Sequence, residues 1–240
     1  MGFSMADAIS AVAAENPDVN FTIIDVIWLQ GDNIQQFVFK EHEGSFLVGM
    51  IAAMKSQTGT IGFVGGMDIP LIRKFHGGYE QGAKYVNSDI NVLMNMTGTT
   101  PEAWNNPTKG AELPKAQIDK GADVVYQAAG GTGIGVLQAA ADAGIYGIGV
   151  DANQNYMHPG SVLTSMLKRV DVAVYNAFKS TMDGTYETGV FTLGLAEEGV
   201  GWALDEHNAS LITDEMKSKV EQARKDIISG KIVVADASSQ

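Results

Sequence analysis

Residues 121–154 read GADVVYQAAGGTGIGVLQAAADAGIYGIGVDANQ, and residues 162–168 add VLTSMLK. Residues 123–127 form a β-rich run of strand length, and the glycines of 130–135 supply backbone angles that a side chain forbids. Residues 136–143 have helix-forming composition, and 145–150 form a second apolar strand that stops at Asp151. This is a strand, turn, helix, strand unit. Two neighbouring parallel strands then offer their carboxyl ends, 128–132 and Asp151, to one crevice, the place where open parallel sheets bind ligands.

The glycine run is neither a dinucleotide fingerprint nor a Walker loop. Gly131 and Gly133 would require a glycine at Val136, and no lysine–hydroxyl pair follows. Spacing alone leaves two readings, a tight turn that lets a helix pack on the sheet, or a turn whose amides face a small ligand at a helix N-terminus. Asp151 and Lys168 nearby favour the second.

Outward from this unit the same alternation continues. Helices are predicted over 3–14, 43–56, 70–85, 111–120 (interrupted at Pro114), 170–182 and from Thr213 to Gly230. Extended segments are predicted over 21–25, 33–39, 60–65, 91–96 and 189–194, and 197–210 reads as loop. In 170–182 one face carries Val174, Ala177, Phe178 and Thr181, and in the last helix Met216, Val220, Ala223 and Ile227 fall in register. Strands alternating with helices this regularly predict an α/β protein with one or two doubly wound sheets.

With 240 residues and 45% hydrophobic content, the chain has enough material for one large or two small domains. A net charge of −12 argues against a nucleic-acid surface, which needs a concentrated basic face. No cysteine is present for a disulfide, a thiol nucleophile or a thiolate metal site. His42, His76, His158 and His207 lack metal-ligand spacing, there is no G-x-S-x-G, and Ser45 and Ser165 have no apparent base. No enzyme, metal or cofactor is expected. No stretch is apolar for long enough to span a bilayer, and the opening MGFSMADAIS has no export-signal pattern.

Six ordered motifs carry a family resemblance: FKEHEGSFLVG, TGTIGFVGGMDIPLIRKF, EAWNNPTKG, GADVVYQAAGGTGIGV, IGVDANQ and VLTSMLKRVD. Together they resemble the basic membrane protein family, the substrate-binding lipoproteins of ABC transporters typified by a purine nucleoside receptor. The resemblance implies a type I periplasmic-binding-protein fold of two doubly wound α/β lobes that close on a ligand. It also implies that the first β-α-β portion of the N-terminal lobe is missing here. On that reading residues 1–65 and about 189–212 form the N-terminal lobe, and 66–188 and about 213–240 the C-terminal lobe with the crossing segments. The missing portion would leave a sheet edge and apolar helix surface bare, which leaves a homodimer or a domain swap open, and would weaken binding. A further departure is Asn106, where the family pattern W-x-D-P has an aspartate.

The function implied is binding of a purine nucleoside for uptake, with an ABC permease as partner. Its location would be periplasmic or at the cell surface, held to the membrane only by a lipid anchor absent from this chain. The alternatives are a non-transport regulatory or interaction protein of the same fold, and a binder of sugar or flavin. By the resemblance Asp151 and Lys168 hold the ribose hydroxyls; without it they read as a strand-end acid and a surface lysine in a salt bridge. Ala129, Gly130 and Thr132 would offer backbone and hydroxyl groups to the cleft, and Gly66 and Met67 would line the opposite lobe. Trp104 either shields the base or anchors a loop. Phe37, Glu41 and Glu43 are weaker candidates, since such a charge cluster usually forms a solvated face.

Overall fold

The computed structural model describes residues 2–239, the side chain of Ser239 excepted. The chain divides into two compact units, one of residues 1–40 and 169–200, the other of 41–168 and 201–240. The sequence reading had placed boundaries near residues 65, 188 and 212. The first helix of the larger unit packs along that unit's second helix, so it groups with the chain that follows it.

The smaller unit contains α1 (Ala6–Glu15), β1 (Phe21–Ile24), β2 (Ile34–Phe39), α6 (Val170–Met182) and β8 (Gly189–Leu193). Its three strands run parallel in the order β1-β2-β8. Ala6, Ala13, Ile23, Val26, Leu29 and Ile34 form its apolar centre, with Ile9 and Phe21 packed against them. The Asn33 amide donates to the carbonyls of Ala13, Asn16 and Val19, tying the end of α1 to the start of β2. Among the described strands β1 pairs with β2 alone. On α6 Ala173 and Ala177 are buried, whereas Tyr175, Phe178 and Met182 are 64%, 70% and 86% exposed. Of the residues expected on one face, Val174, Ala177, Phe178 and Thr181, only Ala177 is buried. The alanines face inward, and the larger side chains stand on the other side of the helix.

The larger unit contains α2 (Glu41–Lys55), β3 (Thr60–Met67), α3 (Pro70–Val86), β4 (Asn91–Gly98), α4 (Pro107–Ile118), β5 (Val124–Ala128), α5 (Gly133–Asp142), β6 (Tyr146–Asp151), β7 (Val162–Lys168), β9 (Val200–Trp202) and α7 (Asp214–Ile228). The boundary at residues 200 and 201 falls within β9. The sheet order is β4-β3-β5-β6-β7-β9, and the pairs from β4 through β7 are parallel. One face is filled by Val64, Ala122, Val125 and Val136, with Leu93, Leu113 and Ile145 against them. The other carries an aromatic cluster in which Tyr126 stands 5.4 Å from Phe63 and 5.1 Å from Tyr79, ring to ring. There α2 and α3 cross at backbone contact. A methyl group at Gly49, Gly78 or Gly82 would collide with the carbonyls of Tyr79, His42 and Phe46 respectively. On α7 the four residues predicted in register, Met216, Val220, Ala223 and Ile227, are all buried.

Three predicted elements change. The helix expected at 111 starts at Pro107, where the Asn106 side chain caps it by accepting from the Lys109 amide at 3.0 Å. It runs unbroken through Pro114, at the cost of the bond to the Gly110 carbonyl four residues back. Next, α5 begins at Gly133, three residues before the predicted start, after a short 3-10 turn over Gly130–Thr132. Finally, the stretch read as loop, 197–210, contributes β9, which is too short and glycine-rich to declare itself by period.

Candidate functional site

Strand order fixes where this sheet can hold a ligand. From β3 the chain steps to β4 on one side and then returns to β5 on the other, so β3 and β5 flank the point where winding reverses. In parallel sheets the carboxyl ends at such a point are splayed apart and leave a crevice. Gly66 and Met67 end β3, and Ala128 ends β5 with Ala129 directly after it, so these residues face one crevice within a single unit. The expectation that Gly66 and Met67 line the opposite lobe is corrected accordingly. They belong to the same sheet as Gly130, because β3 and β5 are hydrogen-bonded neighbours.

The turn before α4 closes this region. A methyl at Gly66 would run into the Trp104 ring, so the glycine is what lets the indole lie against the strand end. Gly130, with φ of 57°, also lies beside Trp104. The loop is pinned by its carbonyls: Ala103 accepts from the hydroxyls of Thr97 at 2.9 Å and Thr132 at 2.7 Å. The Thr132 hydroxyl also accepts from the Asn106 amide at 2.7 Å, and the Ala129 amide donates to the Gln127 side chain at 3.1 Å. Both residues are fully buried. These two groups thus hold the turn together, and of the glycine-turn candidates Gly130 is the exposed one.

Asp151 and Lys168 end the next two strands. Asp151 is paired in register with Leu167, so the acid and the lysine stand at one edge of the sheet. Asp151 is exposed and has φ of 63°, a left-handed conformation that aspartate and asparagine tolerate better than other side chains. Asp25, immediately after β1 in the smaller unit, shows the same φ. The loop beyond Asp151 is held by Gln154, whose side-chain oxygen accepts from the Val150 amide at 2.9 Å and from Gln127 at 2.8 Å. Asp205 accepts from Asn153 at 2.6 Å and from Asn155 at 3.1 Å. Its desolvation pushes the carboxyl pKa up, but the bonds from Asn153, the His207 amide and Asn155 together hold it below the usual range.

Lys168 is no surface lysine. Its side chain is 5% exposed, and its Nζ lies 3.1 Å from Oε1 of Glu41, itself 1% exposed at the first turn of α2. The other oxygen of Glu41 lies 3.7 Å from Nζ of Lys74 on α3. The Tyr126 hydroxyl, from strand β5, bonds with the hydroxyl of Ser45, one turn after Glu41 on α2, at 3.3 Å. Burial pushes the Tyr126 phenol well up; the Ser45 bond opposes that, and the nearby charges of Asp151 and Glu41 add to it. Glu41, Lys74 and Tyr126 are the residues that sequence reasoning passed over or ranked low. The available signal was Glu41 at the start of a helix directly after a strand, inside the FKEHEGSFLVG motif.

The family model described as ABC transporter substrate-binding protein PnrA-like matches residues 1–238. The chain belongs to this family. It is 38% identical to the ABC transporter nucleoside-binding protein BmpA of Lactococcus lactis, over 98% of this chain and 69% of that protein. It is 36% identical to basic membrane protein D of Borreliella burgdorferi over the same shares. A solved ABC transporter solute-binding protein from Aeropyrum pernix superposes with a TM-score of 0.86 at 30% identity, over 98% of this chain and 76% of that one. The family and fold implied by the six sequence motifs are thereby borne out. This chain is a substrate-binding protein of the ABC-transporter class, built on the periplasmic-binding-protein type of fold.

Proposed function

We propose that the chain binds a purine nucleoside non-covalently for delivery to an ABC permease, and that the carboxyl edge of the larger unit's sheet grips the ribose. The observation that carries this is the pairing of an exposed strand-end carboxylate, Asp151, with a buried, acid-held ammonium, Lys168, on neighbouring strands. Two adjacent sugar hydroxyls can both donate to one carboxylate, while an ammonium donates to their lone pairs, so the two groups satisfy opposite halves of a vicinal diol. A buried ammonium held by a buried carboxylate keeps its place without ligand, which reduces the ordering cost of binding.

Gly66, Met67, Gly130 and Trp104 then floor the crevice beside the sugar site. Apolar and aromatic surface there suits a planar base, and the Trp104 ring is already fixed by Gly66. Ala129 and Thr132 support this floor from beneath. The nucleoside-binding name of the Lactococcus lactis relative accords with this reading. The working place is extracytoplasmic, as for the substrate-binding class.

The test is calorimetry with inosine, guanosine, adenosine, ribose and riboflavin on the protein and on Asp151→Asn. Asparagine keeps the left-handed backbone and removes the charge. A nucleoside that binds the protein and loses affinity by about tenfold or more in the variant supports the reading. Equal binding to both proteins, or binding of riboflavin alone, overturns it.

A further inference from the structure

Beyond Lys74 the line of alternating charges continues into the last described segment of the chain. Lys74 Nζ lies 3.7 Å from Oε2 of Glu41 and also 3.7 Å from Oδ2 of Asp236. The order is Asp236, Lys74, Glu41, Lys168, negative and positive in turn, and the exposure of the side chains falls from 42% at Asp236 to 20% at Lys74 and 1% at Glu41. A surface carboxylate is thus linked through two intermediates to the buried ammonium of the candidate site.

Asp236 is held in place by more than its charge. The Ala235 amide donates to Oε1 of Gln81 at 2.8 Å, and Nε2 of Gln81 donates back to the Ala235 carbonyl at 2.9 Å. One side chain on α3 therefore pairs with the tail backbone as a neighbouring strand would. Ala237 rests over Gly77, where a methyl group would run into it, and Val234 is buried. Asp236 in turn accepts from the Ser238 amide at 2.8 Å. A tail that served only to cover α3 would not need to place a carboxylate on Lys74.

We infer that Asp236 is a positioning residue for Lys168: seated on α3 by the Gln81–Ala235 pairing, it holds Lys74 against Glu41, and Glu41 fixes Lys168. The physical reasoning is one of charge sharing. Lys74 is the one partner in the line with both a flexible stem and access to water, so loss of Asp236 weakens its hold beside Glu41 and shifts its balance toward solvent. Glu41 is then left with a different balance of partners in a place where water cannot compensate, and Lys168 shifts with it. The assignment rests on the proposed role of Lys168 only in its binding consequence.

Two readouts on the same full-length proteins separate the claims. Asp236→Asn removes the charge, Gln81→Ala releases the tail with the charge kept, and Asp236→Glu is the conservative rescue. Acetylation by a water-soluble amine reagent is followed residue by residue by mass spectrometry. Lys55 is the internal control, part-buried and bonded to the Leu211 carbonyl at 3.0 Å, because general loosening would speed it as well. The expected result is labelling of Lys74 and Lys168 faster by about twofold or more in Asp236→Asn and Gln81→Ala, with Lys55 unchanged and Asp236→Glu at the original rate. Unchanged labelling of Lys168 in both variants overturns the inference, as does an equal rise at Lys55. Inosine calorimetry is the second readout, where the expected loss of affinity in Asp236→Asn is about threefold. If the unaltered protein binds no inosine, the nucleoside reading fails while the labelling result still decides the positioning claim.

Discussion

Replacing Glu41 by glutamine tests whether the centre of this site is electrostatic. Glutamine keeps the size and one acceptor oxygen but removes the charge that faces Lys168 at 3.1 Å. The side chains are 1% and 5% exposed, so neither water nor salt can replace the lost partner. Breaking a buried pair from one side costs about 3–5 kcal/mol, because the remaining charge loses compensation that water cannot supply in the interior. Lys74, 3.7 Å away and 20% exposed, can turn to solvent and adds little to that penalty. At this chain length each kcal/mol moves the melting midpoint by about 2–4 °C, so Glu41→Gln should melt about 10 °C below the unaltered protein. The double variant Glu41→Gln, Lys168→Met removes both charges and should recover most of the loss, since two buried charges replaced by neutral groups cost far less than one whose charge balance is broken. Circular dichroism melts of the single and double variants complete the cycle. A single-variant shift under about 3 °C, or a double variant no more stable than Glu41→Gln, would refute the reasoning.

Asp151→Ala should be less stable than Asp151→Asn by about 1 kcal/mol, because alanine at a φ of 63° is strained, while both should lose nucleoside; chemical denaturation beside calorimetry separates the two effects. Gly82→Ala should cost about 1–3 kcal/mol by forcing α3 off the Phe46 carbonyl, measurable as a lower urea midpoint at unchanged slope. His76 is held below its ordinary pKa of 6.5, chiefly by burial, with Arg73 and Lys84 adding to the effect and Glu80 opposing it. A depressed pKa in the folded state means the stability it carries is present above 6.5 and lost as the pH falls through the folded value. The melting midpoint should therefore decline with acidification below that point, and His76→Phe should flatten the decline.

Local chemistry made most of the fold legible. The helix over 170–182 and the helix capped by Thr213 match their predicted limits within two residues, because their starts, apolar registers and terminating residues all agree. The start of α4 was hidden because Asn106 had been read as a departure from a motif, when its side chain is the cap that begins the helix. The site was legible only in part. Asp151 announces itself as an acid at the end of an apolar strand. The surroundings of Lys168 do not, since Glu41 and Lys74 arrive from α2 and α3, and a run of Glu, His, Glu looks like a solvated face until a sheet and two helices bury its first two members. Gly66 was assigned to the wrong lobe because strand order, which brings β3 beside β5, is not written in either strand.

The contact between Gly66 and Trp104 also makes the molecule its own optical instrument. The chain has three tryptophans. Trp28 is 57% exposed, and the Trp202 indole, on the last residue of β9, donates to Glu221 at 3.0 Å. Trp104 lies at the crevice, pressed on a glycine at the end of β3 and beside Gly130. A ligand arriving there changes the polarity around this indole. Emission from the unlabelled protein should therefore follow occupancy in real time, and Trp104→Phe should remove this indole's share of the change.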